Sequence, residues 1–135
     1  MPRVRPMETD RPDVMAEIAE VFARYETALV ANDLAVLDEL FWDDERTVRF
    51  GFDETLIGHA EVSADRHSRE RQTPPRVLRS VTIATFGSAV ATVNAEFVPD
   101  GTDAAGRQSQ TWVRFDEGWR VVSAHVSWEG GREPR

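Results

Sequence analysis

Four groups of residues in this sequence could do chemistry. Tyr25 lies on an apolar helical stripe, four residues after Val21 and four before Leu29. Its ring therefore faces the interior. Its hydroxyl is either satisfied by a backbone carbonyl or offered to a substrate atom as a donor of a proton or hydrogen bond. Arg49 stands between Val48 and Phe50 in a short extended run that stops at Gly51. In solvent it would be an ordinary strand arginine; on a pocket wall its guanidinium would hold a carboxylate through two parallel N–H groups. The run Gln108-Ser109-Gln110-Thr111-Trp112 is polar for a segment expected to be buried, and Ser123, His125 and Ser127 alternate, so they share one strand face. The turn between these two runs decides which residues meet. A three-residue loop at Asp116 to Gly118 sets Ser109 and Thr111 beside His125 and Ser123. A two-residue loop at Glu117-Gly118 sets Gln110 and Trp112 there instead, because a slip of one residue exchanges faces. His125 is accordingly either a core or edge histidine or a hydrogen-bonding group in a pocket.

Other chemistries lack their residues. With no Cys there is no disulfide scaffold, thiol nucleophile or thiolate metal site. The three histidines, His59, His67 and His125, form no His-Glu-x-x-His pattern, and His59 and His67 read as solvated groups on a polar helix. Neither phosphate-cradling glycine pattern occurs, nor does Gly-x-Ser-x-Gly, so neither a nucleotide site nor a hydrolase nucleophile elbow is supported. A proton shuttle of the ketosteroid-isomerase kind would need an acid at the pocket floor, for which Glu96 is the one internal-strand candidate. A net charge of −8 argues against a non-specific nucleic-acid binder, which needs a cationic surface to displace counterions. No segment has the roughly 18 apolar residues of a membrane span, and the first ten residues lack the apolar core of a signal peptide. A cytoplasmic protein is expected.

The elements that must position these groups follow from periodicity. At 135 residues, 41% of them apolar, the chain has room for one domain with a real core. Residues 1–12 and 129–135 read as flexible tails around a domain spanning 13–128. Asp13 is a plausible N-cap for a helix carrying Val14, Ile18, Val21, Phe22, Tyr25 and Leu29 on one face. Asn32 and Asp33 end it and start a second helix, with Leu34, Leu37, Leu40 and Phe41 inward. Thr47 to Phe50 is extended and can pair with Glu54 to Ile57 as a hairpin. His59 to about Arg71 predicts a third, solvent-exposed helix closed by Pro74-Pro75. Ser80–Phe86, Ala89–Val98, Arg107–Phe115 and Trp119–Trp128 then alternate or run apolar, separated by turn residues. Connections this short exclude parallel crossovers, so the four strands form an antiparallel meander in an α+β architecture.

Six stretches carry a resemblance: Phe22-Ala-Arg-Tyr25-Glu-Thr-Ala-Leu29, Asn32-Asp33, Leu40-Phe41-Trp42, Thr47-Val-Arg49-Phe-Gly51, Gly106-Arg-Gln-Ser-Gln-Thr-Trp112 and Gly118-Trp-Arg-Val-Val-Ser-Ala-His125-Val-Ser127. From about residue 13 to 128 the chain resembles the SnoaL-like, NTF2-like superfamily. Within it the resemblance is to the small proteins associated with oxalurate (ureide) catabolism and bacterial cyanuric acid breakdown. The closing Gly-Trp-Arg…His-x-Ser pattern is widespread in the superfamily; Arg-Tyr-Glu, Thr-Val-Arg and Gly-Arg-Gln-Ser-Gln-Thr-Trp are the specific part. The resemblance implies a cone-shaped α+β barrel, three helices on a curved sheet enclosing a pocket. It also implies a homodimer through the outer sheet face and no metal or organic cofactor. It further implies action on a small carboxylated urea, as a decarboxylating amidohydrolase converting 1,3-dicarboxyurea to allophanate. The family's pocket Tyr and Arg fall on Tyr25 and Arg49.

Two readings follow. In the first, Arg49 fixes a carboxylate and Tyr25 serves the nitrogen that gains electron density as carbon dioxide departs. Trp42, Ser109, Gln110 and Ser127 would shape the pocket, with His125 supporting a hydrogen-bond chain. In the second, the protein is a non-catalytic accessory or ligand-binding dimer supporting a ureide-pathway amidase. A closed apolar pocket with Tyr25 satisfied by backbone would favour the second. Residues such as Val122, Val126 and Trp128, or their neighbours of opposite parity, are expected on the convex sheet face, where a second copy would cover them.

Overall fold

Twenty residues, Pro12–Ala31, form helix α1, and its start shows how local chemistry sets the frame. Pro12 takes the first helical position, where its fixed φ is already suitable and its missing N–H costs nothing. Asp13, expected as the cap, therefore falls inside the first turn, where its carboxylate pairs with Arg11 at 3.1 Å. Val14, Ile18, Phe22, Tyr25 and Ala28 are the buried stripe. The helix stops where Asn32 adopts a left-handed conformation (φ 56°), and Asp33 caps helix α2 (Leu34–Leu40) by accepting from the Val36 amide at 3.2 Å. The structure, a computed structural model, describes residues 5–68 and 74–131.

Strands β1 (Val48–Phe50) and β2 (Thr55–Ile57) form the expected hairpin. Helix α3 follows at His59–Ser68; the continuation predicted to Arg71 lies outside the described residues. His59 and His67, read from the sequence as solvated, both fasten α3 to α2. His59 Nε2 donates to the Asp38 carbonyl at 2.7 Å, and His67 Nε2 meets the Asp38 carboxylate at 2.9 Å.

Strands β3 (Arg76–Phe86), β4 (Val90–Pro99), β5 (Gly106–Phe115) and β6 (Gly118–Trp128) are the meander, each antiparallel to the next. The sheet order is β2-β1-β6-β5-β4-β3, so the hairpin joins the meander through β1, which runs parallel to β6. The fold is the expected α+β one, helices over a curved sheet, with the sheet left unclosed between β2 and β3. Strand β3 begins four residues before the predicted Ser80, with a bulge between Leu78 and Ser80. Nor is all of the N-terminal stretch a loose tail. Thr9 bridges to Phe86, the Asp10 amide donates to the Thr85 carbonyl, and the Gly87 amide donates to the Glu8 carbonyl, so residues 8–10 extend the sheet beyond β3. At the other end, the Glu129 amide donates to the Ala105 carbonyl.

The β5–β6 register decides which polar residues face the helices. The turn is the two residues Asp116 and Glu117, between paired Phe115 and Gly118. A bulge then inserts Val122 on β6, so that Ser109 opposes His125 and Thr111 opposes Ser123. That pairing puts Gln108, Gln110 and Trp112 on the buried inner face, with Val121 and Ala124. Ser109, Ser123 and His125 stand exposed on the other side. Of the two parities left open for the convex face, that of Val126 and Trp128 is the inward one, and both residues line a cavity.

Gly106 marks a close approach inside this frame. A Cβ there would lie 2.1 Å from the Phe97 ring tip. That ring is buried and packs edge-on against Trp128 at 5.7 Å, with the Arg76 guanidinium over it at 4.1 Å. Gly106→Ala should therefore destabilise the protein by about 2 kcal/mol through overpacking. The shift would be read as a lower urea midpoint, and an unchanged midpoint would show that the ring moves aside freely.

Candidate active site

A cavity of about 510 Å³ lies between the helices and the inner face of the sheet. Helices α1 and α2 contribute Tyr25, Leu29, Leu34 and Leu37 to its lining, and Asn32 joins them from the turn between. The sheet contributes Arg49, Arg76, Phe97, Gln108, Val126 and Trp128. The tip of the β1–β2 hairpin (Phe52, Asp53 and Glu54), together with Asp65 and Arg66 of α3, forms another part of the wall.

Tyr25 is held by aromatic neighbours: Phe22 stacked at 6.3 Å, Phe41 tilted at 6.4 Å and Trp112 edge-on at 6.2 Å. The residue is only 4% exposed, yet its hydroxyl makes no hydrogen bond to any described residue. The hydroxyl oxygen is not among the enclosed side-chain atoms that lack a partner, so the ring is buried while the oxygen keeps access to the cavity. A hydroxyl placed so can donate to, or accept from, water or a ligand in the cavity.

Arg49 points inward because it pairs with Ala124 on β6 and Leu56 on β2, both inner-face positions, while Phe50 pairs with outward His125. Its side chain is 14% exposed. Nη1 donates to Glu54 Oε1 at 2.8 Å, and the other guanidinium N–H groups meet no acceptor among the described residues. Those groups are the ones a carboxylate would take.

A second arginine, Arg76, is held through Nε and Nη2. Both donate to the Glu26 carboxylate, and Nη2 also donates to Gln108 Oε1 at 2.9 Å. Gln108 Nε2 closes the ring by donating to Glu26 Oε1 at 3.1 Å. This neutral network gives a polar wall without leaving a buried charge unpaired. Arg66 lies over the Phe41 ring at 4.5 Å. With Asp53, Glu54, Asp65 and Asp100 also present, the lining carries both signs of charge.

Of the residues singled out from the sequence, Tyr25, Arg49 and Gln108 share this cavity; Gln110, Trp42, Ser109, His125 and Ser127 do not line it. Gln110 is buried deeper in the core, its Oε1 accepting from the Trp112 indole at 3.0 Å. Trp42 stacks on Phe115 at 5.3 Å, with the Arg46 guanidinium over its ring, 4.7 Å from the centroid. Ser109 and His125 border a separate, shallower groove of about 250 Å³ on the outer face, where His125 meets Phe50 edge-on at 5.8 Å. Ser127 opposes Arg107 across the strands, on that same outer side. The Val122 bulge is the cause, because it assigns these alternating positions to the convex face. Glu96 also faces outward. It accepts from Arg79 at 3.0 Å, a hydrogen bond that holds its carboxyl below the usual range, and it cannot serve as a pocket-floor acid.

Reasoning from sequence missed Glu54, Arg76, Glu26 and Arg66. Glu26 had a signal, since it lies four residues after buried Phe22 and three before Leu29. Arg76 had none, being a charged residue ahead of the apolar alternation.

Three helices over a curved open sheet, with a charged cavity between the layers, define the NTF2-like class of small α+β proteins. A solved NTF2-like protein of unknown function from Pseudomonas putida shares this fold at 20% identity, covering 87% of each chain with a TM-score of 0.73. More specifically, the AtzH-like family model matches residues 7–131, and the chain belongs to the AtzH-like family. Two solved structures are much more similar. One is a DUF3225-family protein of unknown function from Pectobacterium atrosepticum, with 48% identity, covering 90% of this chain and 94% of that one, TM-score 0.86. The other is a cystatin-like fold protein from Burkholderia xenovorans, with 41% identity, covering 90% of this chain and 96% of that one, TM-score 0.86. No curated protein matches the chain. Among the described residues no helix is long and apolar enough to cross a membrane.

Proposed function

We propose that this protein is a cofactor-independent enzyme of ureide breakdown in the cytoplasm, removing a carboxylate from an N-carboxylated urea such as 1,3-dicarboxyurea to leave allophanate. One observation carries the reading: the hydroxyl of a buried tyrosine and the unspent N–H groups of a partly buried arginine line the same small cavity. Arg49 holds the departing carboxylate through two parallel N–H groups. The carbon–nitrogen bond breaks, its electron pair passes to nitrogen, and carbon dioxide leaves. Tyr25 gives its proton to that nitrogen and recovers one from water. No covalent intermediate forms.

The test is to incubate the purified protein with a panel of carboxylated ureas and follow carbon dioxide and ammonia separately. Carbon dioxide without stoichiometric ammonia is expected. Both together would mean that amide hydrolysis accompanies decarboxylation, and neither, on any substrate, would shift the assignment to the accessory-protein reading.

The proposal includes a homodimer through the outer sheet face. The inward turn of Val126 and Trp128 removes two apolar residues from that face, but Phe50 and Ile57, 41% and 54% exposed, remain beside its polar strip. Light scattering at micromolar concentration should give twice the mass of one chain; the mass of a single chain would refute the dimer.

A further inference from the structure

Arg49 faces a difficulty as the grip of a decarboxylating site. A guanidinium that binds a carboxylate tightly also stabilises the state that must be left, since carbon dioxide departs without the negative charge. The structure places a second carboxylate on the same guanidinium. Glu54 Oε1 accepts from Arg49 Nη1 at 2.8 Å, and both side chains line the cavity.

The hairpin tip holds Glu54 in place. The Gly51 amide donates to the Glu54 carbonyl at 3.0 Å, and a Cβ on Gly51 would sit 2.5 Å from Glu54 Oε1. Glycine is thus what lets the carboxylate lie against the turn. Phe52, between them, stacks on Trp128 with ring centroids 4.6 Å apart and planes within 8°. The tip is clasped to the sheet by this stack and to the site by the ion pair.

We infer that Glu54 is the positioning residue of the site: its hydrogen bond aims Arg49, and its charge weakens the hold of Arg49 on a bound carboxylate. The inference rests on the decarboxylase reading for its effect on turnover and on geometry alone for its effect on binding. A substrate carboxylate at Arg49 lies close to a like charge, and that repulsion is relieved as the substrate's charge leaves the carboxyl group for nitrogen and is neutralised there. Removing the charge while keeping the acceptor should therefore tighten binding and slow release of carbon dioxide together.

Glu54→Gln and Glu54→Ala separate the two roles. The binding probe is glutarate, which sets two carboxylates three atoms apart, as in 1,3-dicarboxyurea, and has no scissile carbon–nitrogen bond. By calorimetry, Glu54→Gln should bind glutarate about tenfold more tightly than the wild type, while Glu54→Ala, which no longer aims Arg49, should bind it more weakly than Glu54→Gln. With 1,3-dicarboxyurea, Glu54→Gln should lower KM and kcat together. No gain in glutarate affinity for Glu54→Gln, whether both proteins bind alike or neither binds, overturns the inference. So does a lowered KM with wild-type kcat. If the wild type releases no carbon dioxide from any substrate, the decarboxylase reading fails, and the glutarate titrations still decide whether Glu54 opposes anion binding at Arg49. Unchanged thermal midpoints would show that both variants fold.

Discussion

Tyr25→Phe should lower turnover about a hundredfold while leaving the fold almost untouched. Phenylalanine retains the ring that Phe22, Phe41 and Trp112 enclose. It gives up only a hydroxyl that has no hydrogen-bond partner among the described residues, so stability should change by about 1 kcal/mol or less. The loss in rate is the scale expected for a positioned proton donor, about 2.7 kcal/mol of transition-state stabilisation. Both quantities are needed: kcat from carbon dioxide release, and a urea midpoint. A variant that turns over at the wild-type rate would remove Tyr25 from the chemistry, and one that loses stability without losing specific activity would make it a structural residue.

Arg49→Lys tests the other half of the site and should raise KM for the carboxylated urea about thirtyfold. The positive charge is kept, and an ammonium can still meet Glu54. What disappears is the planar fork, and with it one of two parallel charge-assisted hydrogen bonds, worth about 2 kcal/mol. A general electrostatic attraction would survive this change with KM nearly unaltered. Steady-state kinetics at several substrate concentrations would distinguish a failure to bind from a failure to react, and an unaltered KM would mean that Arg49 does not grip the substrate.

Much of this architecture is legible in the residues. The period-two alternation after Pro75 and the turn residues at Gly87, Asp100-Gly101 and Asp116-Glu117 specify a meander, because connections of that length allow only antiparallel neighbours. Tyr25 is legible for a similar reason: a helical stripe has one inward direction, and the tyrosine is on it. Arg49 depends on less certain ground, since a three-residue strand acquires a direction only from its neighbours, and here β6 supplies it. The faces of β5 and β6 could not be read. A one-residue bulge at Val122 carries no distinctive sequence mark, yet it decides that His125, Ser109 and Ser127 face away from the cavity and Gln108 faces into it. Polar residues on two alternating strands look equivalent until that single insertion is known. The Glu26–Arg76–Gln108 ring is hidden for another reason: its members are 50 and 82 residues apart in the chain, and each alone is an ordinary surface residue type.

The parallel pairing of β1 with β6 also has a consequence for the order in which the molecule can be assembled. The strand that carries Arg49 is among the first to be made, and its partner Ser123–His125 is among the last. The hairpin of β1 and β2 can close locally and meets α3 locally, with the Ile57 amide donating to the Glu61 carboxylate at 2.7 Å, but only β6 joins it to the rest of the sheet. Its docking requires the longest loop closure among the six strands, and the meander that provides the docking edge has to exist first. Tyr25 can take its place as soon as its helix packs; Arg49 cannot. The two halves of the site are therefore joined only at the end of folding, so a chain shorn of its last strand could keep its helices and hairpins and still have no place to hold an anion.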